Sequence, residues 1–379
     1  MEKIICCLLL CAVLLVNNLV ESRRVSSSRR VSSRYGDASL ATCSSDEECI
    51  IHNECDEVNQ MTKKGRFTYE EEAYLRTKLC KFYRRVHHFC CKKQKVSIRL
   101  PQAPDCGLYF SDRIYSTSED TYIDQYPWTA MIMYSKPGNR IESHCGGSLI
   151  TERHVLTAAH CYSKVPKNWK LLHVRLGEWD RRSNPDCMEF INEVVCNDPY
   201  VDVPVKKVIE HPNYKKYSLN QHNDIALLEL EYNVKFTTYV RPICLPIDPR
   251  IGQMNFTSHS VEVSGFQLNE KYANSSLTKK VYYLNVVDHD RCRQDIYTGS
   301  KAMVSNSQIC AGIEEEKEFC NPDSGGSLMK EGIYPTSKFP HYQLIGIQSY
   351  GPERCATQYN PGVYTLVSQY MDWIVENIN

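Results

Sequence analysis

Asp224-Ile225-Ala226-Leu227-Leu228-Glu229-Leu230 is a short, strongly apolar run with an aspartate at its mouth. Apolar runs of this length, bounded by polar residues, read as buried β-strands. Trp128-Thr129-Ala130-Met131-Ile132-Met133 and the stretch Tyr342 to Ser349 have the same texture. From about Cys106 onward, turn residues such as Pro137-Gly138-Asn139 and Pro361-Gly362 separate such runs. The last thirteen residues, Val367 to Asn379, differ, because Tyr370, Met371, Ile374 and Ile378 recur at helical spacing. The pattern predicts an all-β, antiparallel barrel protein closed by one C-terminal helix.

Two further segments give Asp224 a chemical context. Thr157-Ala158-Ala159-His160-Cys161 sets a histidine beside a cysteine able to fix its loop, and Cys320-Asn321-Pro322-Asp323-Ser324-Gly325-Gly326 sets a serine in a glycine-rich turn. Alone, each is weak, since most loop histidines and Ser-Gly-Gly turns are structural. Together they supply a nucleophile (Ser324), a base to take its proton (His160) and a carboxylate to orient that base (Asp224). Their order along the chain, His then Asp then Ser, is one of the three established orders for this chemistry.

The 379 residues carry 45 basic and 45 acidic side chains, so there is no basic excess to serve as a nucleic-acid footprint. With 24% charged and 42% hydrophobic residues the chain is not a disordered polymer. Its 19 cysteines are the informative count. Cys6, Cys7 and Cys11 fall in the N-terminal segment, and the remaining sixteen read most economically as eight disulfides in a secreted protein. Lys3 precedes the apolar run Ile4 to Val16, which ends abruptly at Asn17 and Asn18. That layout predicts a secretory signal over residues 1–22, with Val20-x-Ser22 as the cleavage site, and the run is too short to span a membrane. No other segment is apolar enough to cross a bilayer, so a secreted, extracellular protein is expected.

Residues 22–33 read Ser-Arg-Arg-Val-Ser-Ser twice, which predicts a disordered Arg/Ser-rich arm over 23–42. Six cysteines then crowd into the stretch from Cys43 to Cys91: Cys43, Cys49, Cys55, Cys80, Cys90 and Cys91. So few aliphatic residues lie between them that covalent staples, rather than a core, must hold this module, and sequence alone permits fifteen pairings. Residues 92–113, with Pro101 and Pro104, read as a linker.

On these segments, the C-terminal part resembles the chymotrypsin-like serine proteases, and Cys43 to Asn379 as a whole is similar to arthropod clip-domain serine proteases. The resemblance implies a double six-stranded β-barrel over 114–379 with a C-terminal helix, preceded by a small disulfide-rich clip domain at 43–91. It implies the pairs Cys43–Cys90, Cys49–Cys80, Cys55–Cys91, Cys106–Cys244, Cys145–Cys161, Cys187–Cys196, Cys292–Cys310 and Cys320–Cys355. It assigns His160 as general base, Asp224 as its orienting partner and Ser324 as nucleophile. Cleavage by an upstream protease between Arg113 and Ile114 would free an amine that pairs with Asp323 and orders the site. Protein substrates or other proteases of a cascade are the implied partners.

Several residues depart from the family pattern. Pro322 stands where a glycine N–H normally joins the Ser324 N–H in the oxyanion hole, and proline has no N–H. Glu318 replaces the aspartate that holds a basic substrate side chain, and Phe319 replaces a small neighbour, whereas Ser349, Gly351 and Gly362 match the pocket walls. Ile114-Tyr115-Ser116-Thr117 lacks the usual glycines of the new N-terminus. The intact triad therefore argues for an enzyme with an impaired oxyanion hole, and the departures argue for a non-catalytic regulator. Asn255 and Asn274 begin N-glycosylation acceptors. Gly177-Glu178-Trp179-Asp180 resembles the start of a calcium loop in some relatives; two carboxylates fall short of calcium's six to eight oxygens, and a solvated acidic loop is expected, with no cofactor.

Overall fold

The computed structural model describes residues 40–44, 47–52, 55–83, 86–92, 100–108, 120–190, 193–266, 277–299, 302–313, 323–332, 340–351 and 361–378. The chain divides into two compact units, Met1–Val96 and Ser97–Asn379.

In the first unit, strands β1 (Glu47–Ile51), β2 (Leu79–Tyr83) and β3 (Val86–Lys92) form an antiparallel sheet in the order β1-β3-β2. Helices α1 (Asp56–Lys63) and α2 (Tyr69–Lys78) connect β1 to β2. Helix α2 starts at a capping box, in which Thr68 Oγ1 accepts from the Glu71 N–H and the Glu71 carboxylate accepts from the Thr68 N–H. The core is small: Val58, Leu75, Leu79 and Phe89 gather around Cys55 and Cys91. Cys43–Cys90, Cys49–Cys80 and Cys55–Cys91 are bonded. Because side chains alternate along a strand, adjacent Cys90 and Cys91 leave opposite faces of β3, so one strand anchors two separate staples.

In the second unit the strands are β4 (Thr129–Lys136), β5 (Arg140–Thr151), β6 (His154–Thr157), β7 (Lys170–Leu176), β8 (Cys187–Glu189), β9 (Val194–Cys196), β10 (Val201–Glu210) and β11 (Ala226–Leu230), followed by β12 (Ser260–Gly265), β13 (Lys280–Val286), β14 (Gln308–Gly312), β15 (Ser327–Gly332), β16 (His341–Tyr350) and β17 (Gly362–Leu366). They form two closed six-stranded barrels, β10-β11-β6-β5-β4-β7 and β12-β13-β14-β17-β16-β15, in which every pairing is antiparallel. The β4–β5 hairpin turns at Gly138 and Asn139, both at positive φ, as the Pro-Gly-Asn signal predicts. Strands β8 and β9 form a separate hairpin closed by Cys187–Cys196.

Among the described residues, four short helices complete the unit: α3 (His160–Ser163), α4 (Pro249–Gly252), α5 (His289–Gly299) and α6 (Met371–Ile378). The predicted C-terminal helix begins as a 3₁₀ turn over Val367–Tyr370 before becoming α6, and Tyr370, Ile374 and Ile378 bury against the first barrel's core. No helix among the described residues is long and apolar enough to cross a membrane.

An aromatic seam joins the barrels. Trp128, just before β4, is fully buried and donates its indole N–H to Met329 Sδ of β15 at 3.0 Å. Its ring lies 6.0 Å from Tyr126 and 5.6 Å from Tyr342 of β16, and the Tyr126 hydroxyl donates to Glu262 of β12 at 2.6 Å. The strand predicted from Trp128 starts one residue later because this ring belongs to the seam. Trp128→Ala should lower the unfolding free energy by about 3–5 kcal/mol, the usual loss for deleting a buried aromatic side chain. A lower denaturation midpoint by circular dichroism, with Trp128→Phe falling between, would register it.

Candidate active site

The site is assembled where the two barrels meet. At the end of β6 the chain turns through Ala158 and Ala159 into the single turn α3, which begins at His160. Cys161 is bonded to Cys145 of β5, so the loop that presents the histidine is stapled to the barrel wall. Asp224 lies two residues before β11 and is wholly buried. The strand predicted to begin at Asp224 begins instead at Ala226, since Asn223 adopts φ 60° and turns Asp224 into the seam.

Among the described residues, the Asp224 carboxylate accepts three hydrogen bonds. Oδ1 takes the His160 backbone N–H at 2.9 Å, and Oδ2 takes His160 Nδ1 at 2.7 Å and Ser349 Oγ at 2.5 Å. An acceptor opposite Nδ1 places the ring proton there and leaves Nε2 as the basic nitrogen. Thr365 of β17 donates its hydroxyl to the Asp224 carbonyl at 2.9 Å. His160 and Asp224 come from the first barrel, Ser349 and Thr365 from the second.

Ser324 sits in the tight turn before β15. Its carbonyl accepts from the Gly146 N–H at 2.8 Å, the Gly325 N–H reaches Gln348 O at 2.9 Å, and the Gly326 N–H closes on Asp323 O at 2.8 Å. Glycine is required here: Gly325 has φ +79°, and a Cβ on it would fall 2.3 Å from Thr157 Oγ1 and 2.7 Å from Gly146 O. Among the described residues, neither the Ser324 N–H nor its hydroxyl makes a hydrogen bond, and His160 Nε2 lies 3.8 Å from Cys161 Sγ. The N–H is thus available to an incoming oxyanion, and the contact between Ser324 Oγ and Nε2 is not closed in the single-chain form, as is common without substrate. Asp323 is 7% exposed; its Oδ2 accepts from the Phe266 N–H at 2.8 Å, and a Cβ on Gly265 would crowd that oxygen at 2.6 Å.

The family model for trypsin matches residues 114–374, and the model for the regulatory CLIP domain of proteinases matches residues 45–91. The chain belongs to the clip-domain serine proteases. It is 35% identical over 333 residues to CLIP domain-containing serine protease B4 of Anopheles gambiae, covering 87% of this chain and 89% of that protein. It is 42% identical over 280 residues to Melanization protease 1 of Drosophila melanogaster, covering 74% and 69%. The crystal structure of the Drosophila Grass clip serine protease of the Toll pathway is similar with a TM-score of 0.64 at 29% identity, covering 88% of this chain and 94% of that one.

In this clip-domain serine protease, Ser349 and Gly351 lie together at the end of β16, and Gly362 opens β17 beside them. Tyr350, between the first two, packs against the cluster around Cys292, which is bonded to Cys310. Cys106 and Cys244 are also bonded, within the protease unit. Asn255 is exposed, and its side chain accepts from the Thr257 N–H at 2.9 Å. Arg113, Ile114, Asn274, Glu318, Phe319, Pro322 and the expected pair Cys320–Cys355 lie outside the described residues. Sequence reasoning missed Thr365 and Gly146, neither of which carries a local signal, because each acts through a contact made only when the barrels close.

The acidic loop requires a correction. Glu178 is 4% and Asp180 8% exposed, so these two carboxylates are buried, not solvated. The cause is cations from the chain itself: Arg182 grips both Asp180 oxygens, and Arg175 pairs with Glu178 Oε2 at 3.2 Å. Asp186 accepts the backbone N–H groups of Trp179 and Asp180. Burial, and then the charge of Asp186, raise the Glu178 pKa. Of the carboxylate oxygens of Glu178, Asp180 and Asp186, only Glu178 Oε1 is buried without a hydrogen-bond partner among the described residues, and one such oxygen falls far short of a calcium ion's coordination sphere.

Replacing Asp224 with Asn should leave the fold intact but turn a donor toward His160 or free Nδ1 of its hold. The rate of Ser324 labelling by a fluorophosphonate is then expected to fall by orders of magnitude, about 10⁴-fold by the precedent for such triads. Timed labelling of the cleaved protein measures it, with circular dichroism as the control for folding.

Proposed function

We propose that this chain is a secreted zymogen of a serine endopeptidase acting in an extracellular proteolytic cascade. An upstream protease cuts after Arg113, and the amine of Ile114 then pairs with Asp323. Ser324 Oγ attacks a peptide carbonyl while His160 Nε2 takes its proton, and the protonated imidazole returns that proton to the leaving amine. Water hydrolyses the acyl-enzyme by the same relay. The observation that carries this reading is the buried Asp224 carboxylate, with both oxygens committed to His160 and the Ser324 turn pinned beside it. Relatives named for melanization and for the Toll pathway support a role in such cascades. Residues 1–22 serve as the secretory signal, Asn255 and Asn274 accept glycans, and Glu318 favours a basic side chain on the substrate.

Turnover is reduced in this reading. Pro322 offers no N–H, which leaves the Ser324 N–H as the oxyanion donor from this turn; loss of one such donor costs about 10²–10³ in rate, roughly 3–4 kcal/mol. The same proline, together with Phe319, favours a second reading, a protease-like regulator that binds other cascade proteases without cutting. Cleaving the purified zymogen after Arg113 separates the two. The enzyme reading expects hydrolysis of Arg-ended peptides and fluorophosphonate labelling above a Ser324→Ala control, and no labelling above that control sinks it. Pro322→Gly should raise the rate by about 10² or more. An equally inert Pro322→Gly protein would move the defect to the substrate pocket or the activation switch.

A further inference from the structure

Tyr134 is wholly buried, yet it carries a hydroxyl that must find a partner there. It shares the inward parity of Ala130 and Ile132 on β4, and its ring belongs to the first barrel's core. The hydroxyl donates to the Cys161 carbonyl at 2.7 Å, one residue past the catalytic base. That carbonyl belongs to α3, a single turn with no following turn to bond its last carbonyls. Among the described residues, the Tyr134 hydroxyl is the donor it has. Burial raises the Tyr134 pKa, so at neutral pH the hydroxyl keeps the proton it donates.

The same ring meets the chain again beyond α3. Trp169 lies 6.2 Å from the Tyr134 ring and 5.0 Å from His144, which it meets edge-on. His144 is an extra residue in β5, opposite the step from Ile132 to Met133 on β4, and such bulges re-aim a side chain. Lys136 Nζ stands 3.9 Å over the Trp169 ring and is held by Glu142 at 2.8 Å. The chain that presents His160 is thus gripped on its way out by the β4–β5 hairpin.

The grip bears on the base because His160 is held at two points. Its backbone N–H and its Nδ1 must both reach Asp224, at 2.9 and 2.7 Å, which allows α3 one height and one rotation. The bond to Cys145 fixes the Cys161 side chain, and Tyr134 fixes the Cys161 carbonyl. A turn held by its side chain alone could still rotate about that anchor.

We infer that Tyr134 is a positioning residue for His160: through the Cys161 carbonyl, its hydroxyl sets the rotation of α3 at which the imidazole bonds Asp224 and turns Nε2 toward Ser324. The inference rests on the serine-protease reading above.

Tyr134→Phe keeps the ring and removes the hydroxyl. Val203→Ala, a fully buried change on β10 of the same barrel, serves as the comparison, and each should unfold a few degrees below native. In the protein cleaved after Arg113, Tyr134→Phe should lower fluorophosphonate labelling of Ser324 and kcat by about 10- to 100-fold, with KM for an Arg-ended peptide unchanged. Val203→Ala should leave all three as in native. The uncleaved zymogen gives a second reading through the His160 Nδ1 proton, which its carboxylate acceptor moves far downfield in the NMR spectrum. That resonance should shift and exchange faster with water in Tyr134→Phe and stay in place in Val203→Ala. A Tyr134→Phe protein with the native resonance, or a Val203→Ala protein equally slowed, would overturn the inference. Absence of labelling in native protein would instead overturn the enzyme reading, and the resonance would then decide the role of Tyr134.

Discussion

One buried carboxylate sets the terms for the protease unit. Asp224 has no exposed surface, and an ionised group taken out of water costs several kcal/mol unless donors replace its hydration. The first barrel supplies two of those donors through His160, and the second supplies Ser349 Oγ directly and Thr365 Oγ1 at the adjoining carbonyl. The Tyr370 hydroxyl, at the lead into the C-terminal helix, holds Asn223 next door at 3.1 Å. The cost can be met only when both barrels are closed and in contact. The constraint that joins the barrels is thus the one that orients the imidazole, and folding and preorganisation of the site are one event.

The Ser324 turn depends on that closure in a different way. It is wedged between Gly146 on β5 and Gln348 on β16, and it fits because Gly325 lacks the Cβ that would strike Thr157. Many weak contacts from two barrels determine its position, so the loss of any one is shared among the rest. An oxyanion hole has no such redundancy, since it consists of individual N–H groups aimed at a single atom. In the proposed reading Pro322 removes one by covalent structure, and packing could not restore it.

What the sequence disclosed follows the range of the interactions involved. Apolar patterning, turn glycines and helical spacing are local, and they located three of the strands and the C-terminal helix to within a few residues. Errors at Trp128 and Asp224 arose where a residue leaves its strand to serve the seam. The charge balance of the acidic loop was not legible, because Arg175 and Arg182 lie beside it in sequence with nothing to mark them as partners. Glu178 and Asp180 read as solvated because acidic side chains usually are, and only the three-dimensional supply of cations made their burial affordable.

The unit meets its buried carboxylates by two unlike means, and the difference has a chemical reason. Asp180 and Glu178 are answered by full positive charges, which neutralise them and lock a loop. Asp224 is answered by a backbone N–H, hydroxyls and the imidazole itself, and among the described residues no lysine or arginine forms an ion pair with it. A cation at Asp224 would hold the carboxylate equally well but would cancel its field at His160. Neutral donors fix the geometry and leave the negative charge able to support the imidazolium that forms when Ser324 gives up its proton. Where a carboxylate serves structure, arginines grip it directly, and where it serves the proton relay, neutral donors do.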